Sequence, residues 1–155
     1  MNSMHSEDDS RDPRDRQLQL LRSVERKTYS QFNEDGILEL LIDRVGAPSK
    51  RFVEFGIGNG KECNTANLSI HYGWSGLLMD GNAKDAEKAE RFYSSRPEIR
   101  YGQVVIKNEF VTAANINDLL RDHAVNGPTD LLSLDIDGST CMCGGPSPRS
   151  TRGLW

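Results

Sequence analysis

Apolar positions change rhythm repeatedly along the middle of this 155-residue chain. Ile37, Leu40, Leu41 and Val45 recur at helical spacing and predict one apolar helix face after Ser30–Gly36, with Gly46 and Pro48 as the stop. Arg51 to Phe55 is instead a short apolar run of strand length, followed by a helix from about Thr65 to Tyr72 and a second strand, Gly76 to Asp80. Asp85 to Tyr93 predicts the next helix and Tyr101 to Ile106 the third strand. Asn117 to His123 reads as a short helix with Leu119 and Leu120 inward, closed by Asn126-Gly127-Pro128. A fourth strand, Asp130 to Leu134, runs into Asp135-Ile136-Asp137-Gly138. Strands alternating with helices predict an α/β fold with a parallel sheet covered on both faces. No internal repeat is visible.

The two ends fall outside that rhythm. Met1 to Arg16 is charged and free of aromatics and is expected to be disordered, while Gln17 to Arg26 carries Leu18, Leu20, Leu21 and Val24 and predicts a short helix. Residues 1–28 are therefore a lead-in, and the folded part spans 29–138. With 36% hydrophobic and 27% charged residues, the chain makes one soluble domain. A net charge of −4 gives no basic footprint, which argues against nucleic acid as a partner. No apolar stretch has the length of a membrane span and the N-terminus is too polar for a signal peptide, so neither a membrane partner nor export is expected, and the expected compartment is the cytoplasm. Three cysteines, Cys63 standing alone, make no disulfide framework.

Candidate chemistry starts at the first strand. Val53-Glu54-Phe55-Gly56-Ile57-Gly58-Asn59-Gly60 runs an apolar strand into a glycine turn, and the second strand ends in an acid, Asp80, twenty residues past Gly60. Parallel strands joined by a crossover helix bring both carboxyl ends to one sheet edge, where nucleotide ligands bind. Glycines let the backbone pass close under a ligand, and Asp80 can accept both hydroxyls of a ribose. A dinucleotide-dependent oxidoreductase wants Gly-x-Gly-x-x-Gly with a pyrophosphate on the helix N-terminus. Here the spacing is Gly56-x-Gly58-x-Gly60 with Lys61 next, which disfavours that reading.

Several motifs in order carry a resemblance: Ser30-Gln31-Phe32-Asn33-Glu34-Asp35-Gly36, Val53 to Gly60, Gly73-Trp74-Ser75-Gly76 to Asp80-Gly81, and Leu131 to Gly138. Together they resemble an FkbM-type methyltransferase over about Tyr29 to Gly138. The resemblance implies a Rossmann-like class I fold, S-adenosylmethionine as cofactor, and transfer to an oxygen of a small molecule or sugar. It implies that Glu54, Gly56, Gly58 and Gly60 line the methionine half of the cofactor and that Asp80 holds the ribose. Glu109, just after the third strand, either contacts the adenine or is a solvated loop acid. Asp135 and Asp137 either act on the acceptor hydroxyl, as base or orienting group, or serve as helix cap and turn. Tyr29 and Phe32 either lie over the cofactor site or, as expected, pack the first helix onto the sheet; Trp74 is expected to be core or rim, and His71 and His123 to have no partner. No metal is expected, because Cys141-Met142-Cys143 has no second pair elsewhere.

The tail from Ser139 has no period and no apolar strand, although the implied sheet has more strands than the four read here. Regrouping codons so that each triplet takes the third base of one and the first two of the next lets this stretch read Asp-Leu-Tyr-Val-Trp-Arg-Ala-Ile. In that frame Cys143 yields only Val and Met142 only Tyr or His. The alternative reading is similar to the family's residues after Asp-Ile-Asp-Gly, so residues 139–155 are expected to be a frameshift product. On that expectation the chain is the N-terminal part of a methyltransferase domain, with part of the acceptor pocket missing. The competing functional class is a truncated module that at most binds the cofactor.

Overall fold

A computed structural model describes residues 12–123, 125 and 127–135. The expectations for 1–11 and for the 139–155 tail, including Cys141 and Cys143, lie outside these residues, as does Asp137. The chain runs α1 (Pro13–Val24), α2 (Glu34–Val45), β1 (Arg51–Phe55), α3 (Ala66–Tyr72), β2 (Ser75–Asp80), α4 (Ala83–Ser94), β3 (Val104–Asn108), α5 (Ile116–Asp122) and β4 (Leu131–Leu134). All four strands are parallel, in the order β3-β2-β1-β4, an α/β arrangement compatible with a Rossmann-like fold. β1 pairs with β2 on one side and β4 on the other, so the strand order reverses at β1.

The sheet buries its two faces unequally. Phe52 of β1 and Leu78 of β2 join Ala66, Leu68 and Ile70 of α3, Ala89 and Tyr93 of α4, and Ile42 of α2 in the larger core. Trp74 belongs to it as a fully enclosed side chain. On the opposite face Val53, Phe55, Leu77 and Met79 meet Ile116, Leu119 and Leu120 around α5. Among the described residues α5 is the one helix packed there, and it leaves β4 bare: Leu132 and Leu134, in register with Val53 and Phe55, are half exposed. The sequence predicts coverage of both faces; along β4 one face is open.

Other expectations are corrected by local chemistry. α1 begins at Pro13 rather than Gln17, because the Asp12 carboxylate accepts from the Arg14 N–H at 2.9 Å and proline fits the first helical position. The apolar face expected for α2 does not hold as a unit. Leu41 and Val45 are exposed, while Ile42 packs against the core, so the inward stripe is rotated. Phe32 is exposed as well and packs nothing onto the sheet, whereas Tyr29 does touch the larger core, its ring 5.7 Å from that of His71.

The Ser30–Gly36 stretch owes its shape to Asp35. One carboxylate oxygen of this buried residue accepts the N–H groups of Thr28 (2.7 Å), Tyr29 (2.7 Å) and Ser30 (2.9 Å), and Ser30 Oγ accepts from Asp35 N–H in return. These bonds curl the loop ahead of α2 and set Gln31 beside the glycine turn of β1.

Strand β2 sits so close to β1 that one position admits no side chain. A Cβ at Gly76 would lie 2.3 Å from the Phe52 carbonyl oxygen and 2.5 Å from its ring. Gly76→Ala is expected to cost about 1–3 kcal/mol, read from urea unfolding; an unchanged midpoint would contradict this packing.

Candidate functional site

The glycine turn leaves β1 by continuing its ladder for one bond, from Gly56 N–H to the Met79 carbonyl at 2.9 Å. The chain then turns through positive φ at Gly56, Gly58 and Gly60 (76°, 54° and 74°). Such angles are strained for any residue with a Cβ. Gly58 N–H points back at the end of β2 and donates to Asp80 Oδ2 at 2.7 Å, while Asn82 N–H donates to Asp80 Oδ1 at 2.8 Å. Each oxygen of the Asp80 carboxylate therefore holds one backbone donor. An ionised carboxylate has about four acceptor sites, so two remain for a ligand. The Asp80 carbonyl is fixed too, by Asn108 Nδ2 (2.8 Å) and Glu109 N–H (3.0 Å) from the end of β3.

These strand ends enclose a cleft of about 690 Å³, walled by Gly56, Gly58, Asp80, Glu109, Phe110 and Asp135 among others. It has the size of a small-ligand site and lies at the carboxyl edge beside the reversal of strand order, where open parallel sheets hold their ligands. A second hollow of about 300 Å³ shares Gly56, Gly58 and Asp135 with it and adds Gln31, Asn59 and Glu62. The acids on the main cleft wall are Asp80, Asp85, Glu109 and Asp135, and among the described residues no lysine or arginine lines it. A site so lined favours a ligand carrying positive charge and disfavours a pyrophosphate.

Of the residues expected to hold the cofactor, Gly56, Gly58, Asp80 and Glu109 reach the cleft, and so does Asp135 of the expected catalytic pair. Asp135 continues the β4 ladder, its N–H donating to Phe55 O at 3.0 Å, which puts it between β1 and β4 at the reversal point.

Glu54 does not line either hollow; its side chain points below the turn. Fully buried, it accepts from Asn64 N–H (2.9 Å), Thr65 N–H (2.9 Å), Thr65 Oγ (2.6 Å) and Ser133 Oγ (3.1 Å). It binds the start of α3 and ties it to β4, an anchor within the chain rather than a ligand contact. Gly60 is likewise turned inward: a Cβ there would lie 2.8 Å from Ala89 Cβ and 3.1 Å from the Tyr93 ring. Its missing side chain lets the turn rest on α4. Gly58 differs, since a Cβ would meet nothing within 4 Å.

Two neighbours of these residues escape the sequence reading. Phe110, directly after Glu109, is half exposed on the cleft wall and packs against Gly81, where a Cβ would approach its ring to 2.9 Å. The signal was an aromatic next to a candidate binding acid. His123, expected to have no partner, places Nε2 3.2 Å from Glu109 Oε1, a contact across the β3–α5 crossover that no local pattern announces. Cys63 also touches the second hollow, but it is buried against Tyr93 Oη at 3.2 Å. Burial foremost, and the nearby Glu54 charge, push its thiol pKa far up, so it is not a nucleophile.

Among the described residues no cluster of metal-ligating side chains occurs, and no helix is long and apolar enough to cross a membrane. No family model, curated protein or solved structure matches the chain.

Both inward-turned residues have measurable consequences. Burial, the largest influence, raises the Glu54 pKa above its ordinary 4.5, against the pull of its four donors. A carboxyl whose pKa is raised by folding gives its full stabilisation below pH 4.5, and that stabilisation is lost as pH climbs through the raised value. Glu54→Gln sets an amide N–H against backbone donors and is expected to cost about 1–3 kcal/mol near pH 5, with a smaller cost by pH 8. Urea titrations at both pH values check this, and a cost that grows with pH would refute it. Separately, Gly60→Ala should lower the melting temperature well beyond Gly58→Ala, because both incur the strain of positive φ but only the first collides with Ala89.

Proposed function

We propose that this chain binds S-adenosylmethionine in the cleft at the carboxyl ends of β1 and β2, and that its reaction class is methyl transfer to an oxygen of a small molecule or sugar. The fold that goes with this reading is the class I, FkbM-type methyltransferase arrangement. One observation carries it: the Asp80 carboxylate, held by the Gly58 and Asn82 N–H groups, keeps two acceptor sites for a vicinal diol in a cleft whose charged lining, among the described residues, is acidic. A ribose supplies the diol, and a sulfonium supplies the positive charge. A Cβ at Gly58 would meet nothing within 4 Å, so the space over the turn is open. Phe110 offers a flat apolar surface for a base.

Bound there, the cofactor would supply a methyl group already activated on a sulfonium. The residues of the chain have correspondingly modest work: they align donor and acceptor and keep the acceptor hydroxyl close. Asp135 lines the cleft at the junction of β1 and β4, and on this reading it would orient that hydroxyl and take its proton as the oxygen gains the methyl. The acidic wall and the net charge of −4 speak against a nucleic-acid acceptor. The cytoplasm is the compartment that suits this reading.

A second reading is favoured by the bare face of β4. Leu132 and Leu134 are half exposed beside the site, and among the described residues β4 pairs with β1 alone. On this reading the chain holds the cofactor without turning it over.

Calorimetric titration of the full chain tests both. S-adenosylhomocysteine should bind and NAD should not, and Asp80→Ala should weaken binding about 100-fold, the loss of two charge-assisted hydrogen bonds. Binding of NAD without S-adenosylhomocysteine overturns the proposal. Transfer of a labelled methyl group to hydroxylated acceptors separates the two readings: turnover supports the first, and binding without turnover the second.

A further inference from the structure

Strand β4 ends the described sheet, and the parity of its backbone bonds shows which groups are left over. In a parallel ladder a residue aims its N–H and C=O to the same side, and its two neighbours aim theirs to the other. Asp135 N–H donates to Phe55 O, so Leu131, Ser133 and Asp135 turn their backbone groups towards β1. Leu132 and Leu134 turn theirs outward, where among the described residues no strand meets them. Their side chains are half exposed. A groove of about 320 Å³ lies at this edge, lined by all four residues of β4 and by Ile37 and Leu38 of α2. The other edge of the sheet is guarded, since β3 carries Lys107 and Asn108, whereas Leu131–Leu134 holds neither charge nor proline.

We propose that this edge pairs with the same edge of a second copy of the chain, antiparallel and about a two-fold axis through Ser133. The outward backbone groups select that register. Leu132 lies opposite the partner's Leu134, and Leu134 opposite the partner's Leu132, so each pair exchanges both N–H···O=C bonds. Ser133 faces the partner's Ser133 at the closely spaced, unbonded position. The leucines of both copies then share one sheet face and cover the strip that α5 leaves bare. Charge favours the same orientation. Glu34 and Asp135 lie at the carboxyl end of the edge. Exposed Lys50 lies at the amino end, where the Asp130 carboxylate is taken up by Ser49 and the Lys50 N–H. Antiparallel pairing sets the acidic end of one copy beside Lys50 of the other, whereas parallel pairing would bring the two acidic ends together. A two-fold contact is closed, so assembly stops at the dimer. With a four-residue strand at its centre, the interface belongs to the small, reversible class. None of this depends on what the cleft binds.

Sedimentation of the full chain from micromolar to millimolar concentration is the first test. The mass should rise from the 17.3 kDa of one chain towards twice that value and stop there. Leu134→Lys places a charge on the strip and should hold the chain at the single mass. Leu18→Lys, at an equally exposed leucine of α1, should leave the dimer unchanged. The register has its own readout. Opposed residues at the unbonded position have Cα atoms about 4.5 Å apart, within disulfide range. Under copper-phenanthroline oxidation Ser133→Cys should cross-link two chains well above the unsubstituted chain, whose own cysteines set the background. Thr129→Cys, far from the axis, should stay at that background. A chain that keeps the single mass throughout overturns the inference in favour of cover by its own residues 136–155 or by a different protein. Growth past the dimer overturns it too, because a two-fold contact closes. So does a dimer that survives Leu134→Lys or cross-links equally through both new cysteines, since it forms elsewhere. Should Leu134→Lys fail to fold, the comparison of Ser133→Cys with Thr129→Cys decides alone.

Discussion

The Asp80 carboxylate is the group on which the candidate site depends. A glycine turn with positive φ at three positions is an unstable shape for an isolated chain, since each glycine gives up unusual freedom to adopt it. Here the turn is held at its middle by Gly58 N–H on Asp80 Oδ2 and at its start by Gly56 N–H on the Met79 carbonyl. Both acceptors belong to the end of β2, so the turn is shaped only once β1 and β2 are paired. That pairing in turn sets the crossing of β3, whose Asn108 and Glu109 close on the Asp80 carbonyl. The site is thus assembled by the sheet rather than by the turn itself, and its geometry is as rigid as the parallel ladder beneath it.

The anchoring below the turn is of a different kind. Glu54 is buried with four donors, a costly placement that makes sense because α3 begins there with N–H groups that the helix itself leaves in need of an acceptor. Ser133 reaches the same carboxylate from β4, so a single side chain links the central strand, the crossover helix and the edge strand. Asp130 repeats the device at the other end of β4, accepting from Ser49 N–H, Ser49 Oγ and Lys50 N–H just ahead of β1. Two carboxylates therefore hold β4 to β1 at top and bottom. This matters because β4 has little apolar cover on the α5 side, where Leu132 and Leu134 stay half exposed.

How much of this was legible in the sequence depended on whether the deciding contact was local. β1 reads directly as Arg51–Phe55, and each predicted helix and strand exists within a few residues, because apolar period and glycine punctuation are local signals. The glycine turn and Asp80 were also legible as a unit, since strand pairing brings their positions together whatever the helices do. Spacing alone did not say which side of the turn each residue faces. Glu54 and Gly60 sit in the same motif as Gly58, yet one is taken up by α3 and the other by α4. The rotation of the apolar stripe on α2 and the pairing of His123 with Glu109 depend on tertiary packing between segments far apart in the chain, and periodicity carries no trace of it.

The charge of the cleft is what finally narrows the chemistry. Glycine-rich turns at the ends of parallel strands serve nucleotides with and without phosphates, and the fold does not choose between them. A phosphate-bearing ligand brings negative charge that must be met by free N–H groups or by cations. In this turn the Gly56 and Gly58 N–H groups are already engaged by Met79 and Asp80, and among the described residues the wall offers Asp80, Asp85, Glu109 and Asp135 with no basic side chain. Adding a pyrophosphate to such a wall would set like charges against one another in a partly enclosed site, where they are poorly screened. On the proposed reading, a ligand with a hydroxylated sugar, a neutral base and a positive centre would use Asp80 for the sugar, Phe110 for the base and the acidic wall near Asp135 for the charge. The electrostatics therefore disfavour by repulsion what the glycine spacing disfavours by geometry, and the two arguments are independent.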